Sequence, residues 1–238
     1  MAALGQLRHL IHRKLKNIRA RRFHRQFIRP GDLVFDIGAN VGDRSEQYLS
    51  LGAKVVAVEP QTSCIKILFD RFSDSKSMTL IQKAVSESNG SAEMFISSIS
   101  EISTLSPDFI AAYQNQPGVS WENKETVRLC TLSELVREFG IPKYIKIDVE
   151  GYERKVLETL DVPVSYLSFE YNRPLKKEAI ACVELLQAKA SYRFNFIVYE
   201  DMTLYLREWL SPSSFLDFLN DVDDSILTGE IFASLEGV

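Results

Sequence analysis

The chain has 238 residues, of which 45% are hydrophobic and 25% are charged, and its formal net charge is −4. This is the composition of a globular protein with one sizeable core. No apolar run approaches the roughly 20 residues of a membrane-spanning helix, and the three cysteines match neither a disulfide framework nor a zinc cluster, so we expect a cytoplasmic protein.

The first 30 residues predict a basic, amphipathic helical arm ahead of a separate domain over residues 31–238. Nine of the 28 Lys and Arg residues lie in residues 8–29, which leaves 19 basic and 32 acidic side chains in the rest. The helical spacing is carried by Leu7, Leu10, Ile11, Leu15 and Ile18. We expect this helix to dock on the acidic domain and to cover a ligand site. The alternative partner of residues 8–29 is an anionic surface of membrane, glycan or nucleic acid.

A glycine turn joins the first predicted strand, Leu33–Ile37, to a helix over 42–51. A second strand over Lys54–Val58 ends in the acid Glu59. This order builds a nucleoside pocket at the carboxyl edge of a parallel sheet. Gly38 allows a close backbone approach, and Gly42 allows the helix to pack close to the sheet.

The turn reads Asp36-x-Gly38-x-Asn40-x-Gly42, which differs from the G-x-G-x-x-G pattern of dinucleotide sites. The carboxylate of Asp36 would repel a pyrophosphate, but it suits the ammonium and sulfonium of S-adenosylmethionine. Glu59 is placed to accept both hydroxyls of a ribose. The candidate cofactor residues in this part of the chain are Asp36, Gly38, Ala39, Asn40, Gly42, Glu59, Pro60 and Ala84.

The middle of the chain predicts a helix over 61–72, a strand over 78–85 and an added strand over 92–96. A long polar segment, residues 97–126, follows and is our candidate for a substrate cover. Thr131 is the expected N-cap of a helix over 132–139, with Glu134 completing a capping box.

The next strand, predicted over 144–149, carries Lys146, Asp148 and Glu150 on one face, because residues two apart share a face. Asp148 and Glu150 are also candidate cofactor residues, since the carboxyl end of a strand beside the first one lines the ligand crevice. A helix over 152–160 and a strand over 164–171 come next. Glu170 and Asn172 again lie on one face at the end of that strand.

The remaining elements are a helix from Pro174 to about residue 190, two strands over 193–199 and 203–208, and a closing helix over 212–219. The two strands are close enough to form a hairpin, so one of them is antiparallel. The whole pattern predicts a doubly wound α/β fold of Rossmann type, with a seven-stranded, mostly parallel sheet and an antiparallel C-terminal hairpin strand.

The acids at the strand ends form an oxygen-rich set without histidine or cysteine. This set suits sugar hydroxyls, base catalysis or a hard cation such as Mg²⁺. We expect polyol recognition or base catalysis rather than a metal, since no compact metal-ligand motif is present. Asp148 is the first candidate for a general base and Glu170 the second, while Lys146 sets the charge of the carboxylates.

Six segments resemble the FkbM family of S-adenosylmethionine-dependent methyltransferases: VFDIGANVGDRS, VVAVEPQ, LIQKAVSESNG, VRLCTLSEL, YIKIDVEGYERKVLETL and LSFEYN. The resemblance covers roughly residues 31–233. It implies a class I methyltransferase fold and O-methylation of hydroxyl groups on sugars, glycans or natural products. It also implies that Asp36, Gly38, Asn40, Gly42 and Glu59 hold the cofactor and that Asp148 lies beside the methyl group.

The expected function is therefore methyl transfer from S-adenosylmethionine to a hydroxyl of a small molecule or glycan. Alternatives are a protein or nucleic-acid acceptor, a catalytically decayed cofactor-binding module and, more distantly, a dehydrogenase. The acidic body argues against nucleic acid, because it repels phosphates.

Overall fold

A computed structural model describes residues 18–199 and 201–237. The part of the predicted arm before residue 18 lies outside these described residues. The strands are β1 (Leu33–Ile37), β2 (Lys54–Val58), β3 (Met78–Ile81), β4 (Ala84–Val85), β5 (Gly90–Ile96), β6 (Asn123–Cys130), β7 (Tyr144–Ile147), β8 (Tyr166–Asn172), β9 (Tyr192–Val198) and β10 (Thr228–Leu235).

Helices follow most of the strands. Residues 18–24 are helical and are called α1. The others are α2 (Asp43–Ser50), α3 (Thr62–Phe72), α4 (Pro107–Tyr113), α5 (Leu132–Phe139), α6 (Glu153–Glu158), α7 (Lys176–Lys189) and α8 (Pro212–Asp221). The predicted N-cap of α5 is present, since the Thr131 hydroxyl accepts a hydrogen bond from the backbone N–H of Glu134. The predicted capping box is wrong, because the Glu134 carboxylate pairs with Lys83 at 3.5 Å instead of accepting from the backbone of Thr131.

The main sheet has seven strands in the order β3-β2-β1-β7-β8-β10-β9. Only β10 runs antiparallel to its neighbours β8 and β9; the other neighbouring pairs are parallel. Alternate residues of β1 face two different cores, with Phe35 in one and Val34 in the other, so both faces of the sheet are covered. The predicted doubly wound fold with one antiparallel strand is confirmed.

The position predicted for the antiparallel strand is wrong. Residues 203–208 are irregular, and the antiparallel strand is β10, which follows α8 and inserts between β8 and β9. The segment 203–208 runs beside β9 without forming a strand there. The backbone N–H of Leu206 donates to the side-chain oxygen of Asn195 at 3.2 Å rather than to a backbone carbonyl of β9. The predicted closing helix, α8, is therefore followed by one more element, β10.

The strand predicted over 78–85 is divided in two. Met78–Ile81 joins the main sheet, while Ala84–Val85 pairs with β6 in a second sheet of order β4-β6-β5. The polar segment 97–126 contains α4 and the beginning of β6. The small sheet stands next to the carboxyl edge of the main sheet, and its residues Ala84, Val85 and Met94 line a cavity there.

The described end of the basic arm packs into the main core. Phe27 is 4% exposed, and its ring lies 5.2 to 6.2 Å from the rings of Tyr144, Tyr166, Trp209 and Phe232. Phe23 of α1 is also buried, and its ring lies 5.2 Å from the ring of Phe232, so the described part of the helix covers a face of the sheet. Among residues 18–199 and 201–237, the structure contains no helix with the length and apolarity needed to cross a membrane.

We expect Phe27→Ala to lower the free energy of unfolding by about 3–5 kcal/mol, because it removes a buried aromatic ring from a packed cluster. Urea unfolding monitored by circular dichroism measures the change. Ile18→Ala is the control, since Ile18 is 58% exposed and its truncation should cost less than about 0.5 kcal/mol. Equal, small losses in both variants would contradict the packing of this segment into the core.

Candidate functional site

Two adjoining cavities open at the carboxyl edge of the main sheet. The first measures about 50 Å³ and is lined by Ile37, Gly38, Asn40, Val58, Glu59, Pro60, Gln61, Lys83, Ala84, Val85, Met94, Ser100, Glu101, Ser103, Leu105, Asp148, Val149, Glu150 and Tyr152. It is called the cofactor cavity below. The short 3-10 turn Ser100–Ile102 narrows it, and the Gln61 side chain holds this turn by donating to the Ser100 carbonyl at 3.0 Å.

Gly38 brings the turn after β1 against the end of β7. Its φ is 78°, and a Cβ added there would lie 1.8 Å from the carbonyl oxygen of Asp148. Its backbone N–H donates to the Val58 carbonyl at 2.9 Å, which ties the turn to β2. Glycine is therefore required here both by the left-handed backbone and by the close strand contact.

Glu59 lies at the end of β2 and fixes the turn from the other side. Its two carboxylate oxygens accept hydrogen bonds from the backbone N–H groups of Asn40 and Gln61, each at 2.8 Å. Burial raises the pKa of Glu59 to about 6, although these two hydrogen bonds oppose the shift. A buried carboxylate with lone pairs to spare is a suitable acceptor for ribose hydroxyls.

The structure brings seven of the predicted cofactor residues together around the first cavity: Gly38, Asn40, Glu59, Pro60, Ala84, Asp148 and Glu150. Asp36, Ala39 and Gly42 do not line it. Asp36 is fully buried below the turn, where the Ser45 hydroxyl donates to its Oδ2 atom at 2.6 Å. Burial raises the pKa of Asp36, and the neighbouring Lys146 ammonium opposes that shift.

Gly42 has a packing role that differs from the predicted one. Its φ is 86°, and a Cβ would lie 2.6 Å from side-chain atoms of both Leu68 and Phe72. These residues belong to α3, so Gly42 allows the turn to pack against α3 rather than bringing α2 close to the sheet.

The second cavity measures about 360 Å³ and is lined by Arg44, Glu101, Ile102, Lys146, Ile147, Asp148, Glu170, Tyr199, Thr228, Gly229 and Glu230. It is called the acceptor cavity below. Asp148 and Glu101 line both cavities. Sequence reasoning finds Lys146, Asp148 and Glu170. It misses Tyr199 and Glu230 because it does not locate β10 or the loop after β9, and it assigns no role to Arg44 in α2.

Acidic side chains meet on the wall between the cavities. One oxygen each from Asp148, Glu150 and Glu170 lies within 4.8 Å of the other two. Burial, followed by the neighbouring carboxylates, raises the pKa values of Glu150 and Glu170 well above their usual range. The end of β7 therefore carries a crowded group of acids.

Lys146 is buried and forms an ion pair with Asp148, with 2.8 Å between its Nζ atom and Oδ2. Burial alone would lower the pKa of Lys146, but Asp148, Asp36 and Glu230 outweigh it and raise this pKa. A lysine that stays protonated is unsuited to act as a base, which agrees with the predicted electrostatic role.

Glu153 lies beneath the acids and titrates in the physiological range. Its Oε1 atom accepts from the backbone N–H groups of Val149 and Gly151, and burial raises its pKa to about 7. Because the pKa in the folded state lies above the unfolded value, Glu153 contributes stability that is complete below about pH 4.5 and is lost as the pH rises through about 7.

We expect Glu153→Gln to remove this contribution, because the amide oxygen keeps both backbone hydrogen bonds without a charge. The loss of unfolding free energy between pH 4.5 and pH 8 should be smaller in the variant by up to about 3 kcal/mol. Urea unfolding at both pH values measures it. An unchanged pH dependence would show that Glu153 titrates normally.

The comparisons with known proteins assign the family. The family model described as the methyltransferase FkbM domain matches residues 36–209. The chain belongs to the FkbM methyltransferase family. The predicted resemblance is thereby confirmed, and the expectation of S-adenosylmethionine as cofactor agrees with this family.

One curated relative is the hexuronic acid methyltransferase AglP of Haloferax volcanii, which is 29% identical over 140 residues. The match covers 58% of this chain and 54% of the relative, so the chain spans about half the length of that protein.

Solved structures of other methyltransferases are also similar. Precorrin-6y C5,15-methyltransferase from Geobacter metallireducens has a TM-score of 0.48 and 10% identity over 94% of this chain and 87% of its own. Aeropyrum pernix fibrillarin, solved with natively bound S-adenosylmethionine, has a TM-score of 0.48 and 8% identity over 87% of this chain and 68% of its own.

The donor set of this FkbM methyltransferase fits S-adenosylmethionine. Glu59 offers oxygens to a ribose, and Met94, Leu105 and Val149 offer apolar surface to an adenine ring. Asp148 offers negative charge near the acceptor cavity, which suits a sulfonium. Ser100 and Glu101 of the turn Ser100–Ile102 form part of the wall of this cavity.

Proposed function

We propose that this FkbM methyltransferase transfers the methyl group of S-adenosylmethionine to a hydroxyl oxygen of a hexuronic acid or a related sugar in a glycan. The observation that carries the proposal is the position of Asp148, which lines both the cofactor cavity and the acceptor cavity. A carboxylate at this shared wall contacts the acceptor oxygen at the point where the methyl group arrives.

Bound S-adenosylmethionine supplies an electrophilic methyl group on its sulfonium. Asp148 accepts the hydroxyl proton as the oxygen–carbon bond forms and the carbon–sulfur bond breaks. Lys146 holds the Asp148 carboxylate in place through their ion pair. The two cavities align the acceptor with the methyl group, which supplies the proximity that an already activated methyl donor chiefly needs.

The polar lining of the acceptor cavity supports a sugar acceptor. Glu170 and Glu230 offer oxygens that accept hydrogen bonds from hydroxyls. The guanidinium of Arg44, which lies 3.9 Å from Glu230, supplies positive charge that attracts a uronate carboxylate. The relative AglP, named a hexuronic acid methyltransferase, supports the same class. The four acids in the lining disfavour a nucleic acid, whose phosphates they would repel.

The segment 97–126 is the proposed acceptor cover. Its residue Glu101 lines both cavities, and Ile102 lines the acceptor cavity. The Trp121 indole N–H donates to the Ile102 carbonyl at 2.9 Å, which anchors the turn to the segment that follows α4. We also propose that a basic arm over residues 1–30 precedes the methyltransferase domain over residues 31–238, and that residues 8–29 contact an anionic surface.

A labelled-methyl assay tests the proposed acceptor class. The full chain is incubated with S-adenosylmethionine carrying a radioactive methyl group and with hexuronate-containing oligosaccharides, next to the matched neutral hexose oligosaccharides. We expect label in the hexuronate products, and we expect it to survive mild alkali, because a methyl ether is stable where a methyl ester is hydrolysed.

The outcomes separate the chemical alternatives. Label released as methanol by alkali would mean transfer to the uronate carboxylate and would contradict a hydroxyl acceptor. Label in RNA or protein, with none in the sugars, would contradict the glycan. The Glu59→Ala variant is the control for cofactor use, since it should lose product formation with every acceptor.

A further inference from the structure

We propose that Asp148, Glu150 and Glu170 bind one divalent cation of the Mg²⁺ or Mn²⁺ class at the wall between the two cavities. The three carboxylates come from the ends of β7 and β8, and one oxygen of each lies within 4.8 Å of the others. Three oxygens at this spacing leave room for a single ion between them, with further coordination positions open.

The Glu150 side chain is the independent observation that points to a ligand. Glu150 is 9% exposed, yet its carboxylate has no hydrogen-bond or ion-pair partner within residues 18–199 and 201–237. Its backbone is held by the Thr104 hydroxyl, which donates to the Glu150 carbonyl at 2.7 Å. This unpaired carboxylate lines the cofactor cavity, and one of its oxygens lies within 4.8 Å of oxygens of the two other acids, so a cation that enters the cavity can reach it.

Asp148 has a second unsatisfied oxygen in the same place. Its Oδ2 atom is paired with Lys146, whereas its Oδ1 atom is buried and has no hydrogen-bond partner in the described chain. Glu170 accepts from the Asn172 amide at 2.7 Å through Oε2. Each carboxylate can therefore keep its existing contact and still give one oxygen to an ion.

The charge balance also favours a cation. Lys146 is the basic side chain that pairs with this group in the part of the chain described, against three carboxylates. Ligands made only of oxygen suit the hard ions Mg²⁺ and Mn²⁺ better than Zn²⁺, which prefers nitrogen and sulfur.

The position of the site gives the ion a role, which rests on the proposed function. Glu170 and Asp148 line the acceptor cavity, so open coordination positions face the bound sugar. An ion there would bind two neighbouring oxygens of the acceptor and lower the pKa of the hydroxyl to be methylated. A hydroxyl with a lowered pKa would lose its proton more easily to a neighbouring carboxylate of this group.

Titration of the full chain with Mn²⁺ tests the site without acceptor or cofactor. The electron paramagnetic resonance signal of free Mn²⁺ disappears on binding, and Mg²⁺ is added afterwards as a competitor. We expect one bound ion per chain that Mg²⁺ displaces. Glu150→Gln should weaken Mn²⁺ binding at least about tenfold, because it replaces one carboxylate ligand with a neutral amide.

Glu153→Gln is the matched control, since it removes a nearby buried acid whose Oε1 atom is already held by two backbone N–H groups. It should change Mn²⁺ binding by less than about threefold. Absence of binding at millimolar Mn²⁺, or equal weakening in both variants, would overturn the site. Calorimetry with S-adenosylhomocysteine tests cofactor binding separately. A chain that binds S-adenosylhomocysteine but no Mn²⁺ would overturn the cation site and leave the proposed methyl transfer standing.

Discussion

Gly38→Ala should reduce the affinity for S-adenosylhomocysteine at least about 100-fold, because the new methyl group and the Asp148 carbonyl cannot occupy their present positions. The separation would be 1.8 Å, so either the turn or the end of β7 has to move. Both border the cofactor cavity. We also expect a loss of about 2–4 kcal/mol in the free energy of unfolding from strain and crowding. Calorimetry and urea unfolding measure the two effects.

Gly31→Ala separates the backbone cost from the steric cost. Gly31 has a φ of 89°, similar to the 78° of Gly38, but a Cβ at Gly31 would meet nothing within 4 Å. It should lose only about 1–2 kcal/mol of stability and bind S-adenosylhomocysteine normally. If Gly38→Ala behaves in the same way as this control, the close contact between the turn and β7 does not shape the cofactor cavity.

The cofactor half of the site was largely predictable because it depends on local order along the chain. A strand, a glycine turn and an acid at the next strand end are enough to bring Gly38, Asn40 and Glu59 to one edge of a parallel sheet. Asp36 was expected to contact the cofactor, but it does not line the cofactor cavity. Its side chain points below the turn to Ser45, and a motif does not state to which face a residue two positions before the turn is directed.

The acceptor half was only partly predictable because it depends on pairing between distant segments. Polar and apolar residues alternate over 203–208 as they do in a strand. The strand that pairs with β9, however, is β10, which begins at Thr228. Gly229 allows that pairing, since a Cβ there would lie 2.3 Å from the ring of Phe196. Glu230 reaches the acceptor cavity only through this arrangement, and local periodicity carries no information about it.

The group of acids Asp148, Glu150 and Glu170 was predictable only in part from strand alternation. Alternation along β7 predicted that Lys146 and Asp148 share a face, and their ion pair has the expected partners. The third acid, Glu150, lies beyond the end of the strand with a φ of 56°, a left-handed backbone that alternation does not describe. That backbone brings Glu150 close to Asp148 and Glu170, and it underlies the proposed cation site.

Asp148→Asn should lower the rate of methyl transfer by about 10²–10⁴-fold, because an amide of the same size cannot accept the hydroxyl proton. The variant keeps the shape of both cavities, so the concentration of S-adenosylmethionine needed for half-maximal rate should change much less. Single-turnover kinetics with the labelled methyl donor measures the chemical step directly.

Glu230→Gln is the control for this effect, since Glu230 lines the acceptor cavity but not the wall shared with the cofactor cavity. It should weaken acceptor binding while the single-turnover rate at saturation stays within about threefold of the original. If Asp148→Asn reacts as fast as this control, the proton leaves by another route. Glu170, which also lines the acceptor cavity, then becomes the base to test with the same amide substitution.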